Sequence, residues 1–117
     1  MKVIICGSRD FNDYKYMEKC IERSGFNITE IVSGAAKGAD SLGERYAKEH
    51  DIKLTRFPAD WNSLGKKAGP IRNQQMIDYV YPDGGLIAFP INESIGTRDS
   101  IRRAENKGLH VRVYEKS

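Results

Sequence analysis

Nothing in the sequence approaches the roughly 20 consecutive apolar residues that a membrane-spanning helix requires, so no membrane partner is expected. Cysteine is scarce. Cys6 and Cys20 are the only two, and with no export signal they read as reduced thiols of a cytoplasmic protein rather than a disulfide framework. The opening MKVIICGSRD has one lysine and a short apolar stretch, which fits a first strand and not a secretory leader. Histidine is equally sparse: with only His50 and His110 beside the cysteines, no cluster has metal-ligand spacing, and neither metal nor cofactor is expected. The charge imbalance is small. A formal +3, from 19 basic and 16 acidic side chains, is too mild to argue for nucleic acid, though it suits a small anionic ligand. Internal repeats and low-complexity tracts are missing, and the apolar residues run from Val3 to Val113, which argues against a long disordered tail.

What remains is an ordinary globular composition, 39% apolar and 30% charged over 117 residues, enough for one domain spanning 1–117. Apolar, β-branched runs alternate with stretches of helical periodicity. Lys2 to Cys6 reads as a buried parallel strand ended by Gly7. Asp13 can cap a helix that turns Tyr14, Met17 and Ile21 inward and stops at Gly25. Glu30 to Ser33 gives a second strand, a helix follows from about Ala39 to His50, and Lys53 to Phe57 alternates as a third strand. Pro58 to Gly69 reads as a long loop, with Pro70 in the first turn of the next helix. Leu86 to Phe89 is a fourth strand closed by Pro90; the last helix begins near Thr97 and ends at Gly108, and Leu109, Val111 and Val113 alternate in a fifth strand. The expected fold is therefore α/β: a Rossmann-like, three-layer αβα domain with a five-stranded parallel sheet in the order 3-2-1-4-5.

In such a sheet a ligand sits beyond the carboxyl ends of the strands, at the switch in strand order. The loops placed there are Gly7-Ser8-Arg9, Ser33-Gly34-Ala35-Ala36-Lys37-Gly38, and Pro90 to Thr97. The last two open into helices, whose unpaired N–H groups attract phosphate. Gly34 and Gly38 would let backbone approach a ligand, and Ser8, Ser33 and Thr97 add hydroxyls. The spacing matches neither a GxGxxG fingerprint nor a Walker loop, so tight-turn roles for these glycines stay open. Arg72, beside Asn73, falls in the first turn of a helix, where a cation is disfavoured. It reads either as an anion ligand or as the partner of Asp60. Trp61, the single tryptophan, serves either to pack the long loop or to stack on a base. Asp40 and Asp99 have structural uses at helix starts, and the charged face with Arg98, Arg102, Arg103, Glu105 and Lys107 reads as solvated surface.

Gly7 to Phe11, Ser33 to Asp40, Ala59-Asp60-Trp61, Gly65 to Asn73 and Gly96-Thr97 together resemble the SLOG superfamily, nearest to its small single-domain YspA/YpsA-related branch of bacteria and phages. The resemblance runs from Val3 to Val113. It implies a Rossmann-like nucleotide-binding fold, shared with the LOG phosphoribohydrolases and the DprA DNA-processing proteins. Arg72 followed by Met76 is similar to the Arg-x-x-x-Met segment of the LOG enzymes, which implies a catalytic arginine. Gly96-Thr97 is similar to the end of their glycine-rich motif, but Pro90 to Ile95 replaces its glycine pair and Ser100 stands where the catalytic glutamate would be.

Three functions follow as expectations. The first is binding of a nucleotide or NAD- or ADP-ribose-like phosphate ligand as a sensor, carrier or sponge, through Gly7, Ser8, Arg9, Ser33, Gly34, Lys37, Gly38, Asp40, Arg72, Asn73, Gly96 and Thr97. The second is N-glycosidic hydrolysis of nucleoside monophosphates, with Arg72 holding phosphate and a carboxylate, Asp60 first among Asp40, Glu93 and Asp99, at the sugar. The third, single-stranded DNA binding, ranks last because the basic residues are interspersed with acids. Self-association as a homodimer is also expected, with Tyr14, Tyr16, Tyr79 and Tyr81 available for aromatic contacts.

Overall fold

A computed structural model describes residues 1–92 and 94–115. Glu93, among the candidate carboxylates, lies outside the described residues. The chain alternates β1 (Lys2–Gly7), α1 (Tyr14–Arg23), β2 (Glu30–Ser33), α2 (Ala39–Glu49), β3 (Lys53–Arg56), α3 (Trp61–Leu64), a 3₁₀ turn (Gly65–Lys67), α4 (Ala68–Val80), β4 (Gly85–Phe89), α5 (Ile95–Asn106) and β5 (His110–Val113). All strand pairings are parallel, and the sheet order is 3-2-1-4-5, as the sequence predicts.

Strand alternation divides the core in two. Val3, Ile5, Ile31, Ile87 and Phe89 point to one face and pack with Met17, Ile21, Ala39, Tyr46 and Ala47 of α1 and α2. Ile4, Cys6, Val32, Leu86 and Ala88 point to the other and pack with Met76, Ile77, Val80, Ile101 and Ala104 of α4 and α5. β1 and β4 are therefore covered on both sides, which is why Val3 to Cys6 of β1 and all of β4 are apolar. The edge strands β3 and β5 have four residues each and expose Lys53, Arg56, His110 and Arg112. No described helix is long and apolar enough to cross a membrane.

The segment between β3 and β4 departs from expectation. Instead of a loop up to Gly69, it forms an arm made of α3, the 3₁₀ turn and the start of α4. Asp60 nucleates it: its side chain accepts from Ser63 N at 3.2 Å, an aspartate N-cap. α4 thus starts at Ala68, with Pro70 inside its first turn and Arg72 one residue beyond it. α5 begins at Ile95, two residues earlier than predicted, and Leu109 is buried just ahead of β5. Arg103 is not a solvated charge. It donates to Asp99 at 2.8 Å and to Gln74 at 2.9 Å, tying α5 to α4.

Candidate functional site

The switch in strand order falls between β1 and β4, and the loops leaving their carboxyl ends are bound together. Ser8 N donates to Phe89 O at 3.1 Å, and Ser8 O accepts from both Phe11 N and Ala39 N, the latter opening α2. Gly38, at φ 76°, lies so close to the Ser8 and Arg9 carbonyls that any Cβ would overlap them. Its freedom brings two loops of the protein together rather than admitting a ligand. Gly34 acts similarly: a Cβ there would fall 2.7 Å from Arg72 Nη1 and 2.8 Å from Asp40 Oδ2.

Beyond these loops opens a cavity of about 590 Å³, within the usual range for small-molecule sites. Gly7, Ser8 and Arg9 line it after β1, and Asp40 from α2. Lys66, Arg72 and Asn73 enter from the arm and α4, and Gly96 and Thr97 from α5. The sequence thus places eight of its candidate ligand residues on the cavity wall: Gly7, Ser8, Arg9, Asp40, Arg72, Asn73, Gly96 and Thr97. Ser33, Gly34, Lys37 and Gly38 are not on it. The Ser33 hydroxyl donates to Glu44 at 2.7 Å and accepts from Ala35 N at 3.0 Å, which folds the loop back on itself. Lys37 is exposed.

Arg72 does not pair with Asp60, whose carboxylate is occupied as the α3 cap. It reaches across to the β2–α2 loop, donating from Nη1 to Gly34 O and from Nε to Asn73 Oδ1 at 2.9 Å. Because it lies in the second turn of α4, it is past the positive end of the helix dipole that would disfavour a cation, and its charge is compensated from elsewhere. Asp40 supplies the compensation: the two charges favour one another, while burial pushes the arginine down and the Asp40 carboxyl up to about 6. Asp40 itself does not cap α2. Its Oδ2 accepts from Ala36 N at 3.2 Å, in the preceding loop.

On the α5 side, Asn73 Nδ2 donates to Gly96 O at 3.4 Å and to Asp99 Oδ2 at 3.0 Å. Asp99, also held by Arg102 and Arg103, has its pKa lowered: burial works against the charge, but those hydrogen bonds outweigh it. Ser100 also lines the cavity and is buried. Ser94, the residue before α5, does not cap the helix. Its hydroxyl meets Thr97 Oγ1 at 2.6 Å, so among the described residues no side chain caps the first turn. Sequence reasoning missed Lys66 as a lining residue, while Ser94 and Ile95, which also line the cavity, fall in the Pro90 to Thr97 loop that the sequence places there.

Comparison with known proteins agrees with this picture. A family model described as the YspA, cpYpsA-related SLOG family matches residues 1–63. The Gene 61 protein of Mycobacterium phage D29 is 33% identical over 119 residues, covering 94% of this chain and 93% of that protein. No solved structure matches the chain. With its parallel 3-2-1-4-5 sheet and a model match over half its length, the chain belongs to the YspA/cpYpsA-related SLOG family.

Proposed function

We propose that the cleft between β1 and β4 binds a nucleotide or a nucleotide-derived phosphate compound, as a sensor, carrier or sponge. One observation carries the reading: a helix start, Ile95 to Thr97, that no described side chain caps, and three cations, Arg9, Lys66 and Arg72, share one cavity at the switch point. Uncapped N–H groups and a positive dipole end favour phosphate there. Arg9 is exposed and makes no side-chain hydrogen bond or ion pair among the described residues, so its guanidinium is available to an anion. By contrast, other surface cations, such as Arg45, Arg56, Arg98 and Lys107, are paired with acids, which weighs against a nucleic-acid groove.

Calorimetric titration with AMP and ADP-ribose tests the reading. Saturable binding is expected, weakened about tenfold or more by Arg9→Ala, the loss of one charge-assisted contact. No heat with either compound at millimolar concentration overturns it.

Asp40 supports a second reading, hydrolysis of the N-glycosidic bond. Asp40 and Asp99 both line the cavity, but Asp99 is held ionised by its arginines, whereas Asp40, coupled to Arg72 and with a pKa near 6, can exchange a proton close to neutral pH. Asp60, the carboxylate expected from the sequence, is held away as a helix cap. Free base released from AMP, and lost in Asp40→Asn, would establish turnover; ligand recovered intact leaves a binding protein.

A further inference from the structure

Among the described residues, Trp61 is the one aromatic side chain whose ring meets neither another ring nor a cation. Among the described residues, all 6 tyrosines and 4 phenylalanines stack with another ring or lie under a cation. Trp61 has neither, though it is the largest apolar side chain and 49% exposed. Its position is nonetheless fixed. Asp60 caps the helix that Trp61 begins, and the six-membered edge of the indole sits on Gly69, where a Cβ would come within 3.2 Å of Cη2. A seated indole with open surface is costly in water, and this one stands on the wall of the cleft, whose apolar lining also includes Pro70, Met76 and Ile95.

We propose that Trp61 is the base platform of the cleft, and that it selects purine nucleotides by stacking. The inference rests on the phosphate-ligand reading above and adds the chemical class of the other half of the ligand. A nucleotide is the small molecule that joins an anion, suited to Arg9 and the start of α5, to a flat π-system suited to an unpaired indole. A purine covers more of the ring than a pyrimidine does, so stacking ranks AMP above CMP.

The experiment uses the fact that Trp61 is the only tryptophan, so indole emission reports on this position alone. AMP is expected to quench it saturably. Ribose 5-phosphate should displace AMP while leaving the emission of the free protein nearly unchanged. Trp61→Ala should weaken AMP roughly five- to a hundredfold, from the usual worth of one stacked base, and leave ribose 5-phosphate affinity as it was. Trp61→Phe, which keeps a ring on Gly69, should recover part of the loss and guards against a misfolded alanine variant. If AMP binds without altering the emission, or equally well to Trp61→Ala, the platform is wrong and the phosphate site stands. If neither AMP nor ribose 5-phosphate binds, the phosphate site fails and the platform with it.

Discussion

Asp40 is the side chain whose burial should be easiest to feel from outside. Its carboxyl titrates near 6 in the folded chain, against an ordinary value of 3.8. Below about 4 the group is protonated in both folded and unfolded chains and contributes nothing to pH dependence. Between these values the unfolded chain ionises first, so stability falls as pH rises, by at most about 3 kcal/mol at neutrality. Asp40→Asn keeps an acceptor for Ala36 N and removes the ionisation. Relative to the parent, this variant should gain stability between pH 4 and pH 7.5 in urea unfolding; a difference independent of pH would show that Asp40 is not desolvated. Arg72 lessens the same cost, since its charge favours the carboxylate. Arg72→Ala should therefore move the Asp40 titration above 6, read by carbon NMR of the carboxyl.

At the scale of elements, two glycines that the sequence offers as ligand-facing should respond in opposite senses. Gly38 has positive φ and a neighbour's backbone where a Cβ would go. Gly96 lies in the first turn of α5 with nothing within 4 Å of its would-be Cβ. Gly38→Ala is expected to cost about 2 kcal/mol or more, and Gly96→Ala to stabilise by about 0.5 kcal/mol through helix propensity, both measured as unfolding midpoints. The difference was not visible in the sequence, where both read alike as ligand-facing glycines. The strands were legible because short apolar runs bounded by Gly7, Gly85 and Pro90 admit few other readings. Their order follows from two helices covering each face. The arm was not legible: the four residues Trp61 to Leu64 are too short to show a period, and only the capping aspartate betrays them. Of the cleft, the loops leaving β1 and β4 were readable, but the β2–α2 loop was not. Its residues are spent on Glu44, Arg72 and the Ser8–Arg9 backbone, contacts that no local pattern encodes.

Across the whole molecule, the sheet has a buried carboxylate at each end, and the two answer acid differently. Opposite the cleft, Glu30 opens β2 and accepts from Tyr79 at 2.6 Å and Thr55 at 2.7 Å, with Lys53 Nζ at 3.6 Å. Burial works against its charge, but these bonds and the lysines prevail, and its pKa is lowered. Glu30 thus contributes stability at neutral pH that disappears as acid protonates it, the reverse of Asp40. Tyr79→Phe is expected to cost about 1.5–3 kcal/mol at pH 7 and clearly less near pH 3, by denaturant unfolding at both. A cost unchanged by acid would mean that the Tyr79 hydroxyl does not serve the ionised form.

The short edges of the sheet bear on how copies of the chain meet. A free strand edge invites another strand, and two domains can fuse into one continuous sheet that way. Here both free edges are four residues long and carry charged side chains, Lys53 and Arg56 on one and Arg112 on the other. Edge-to-edge approach in any combination offers a ladder of only four residues, too short to repay the desolvation of the charged side chains beside it. A crowded solution of this protein should therefore resist strand-mediated aggregation, and a dimer, if one forms, would have to be built from helices.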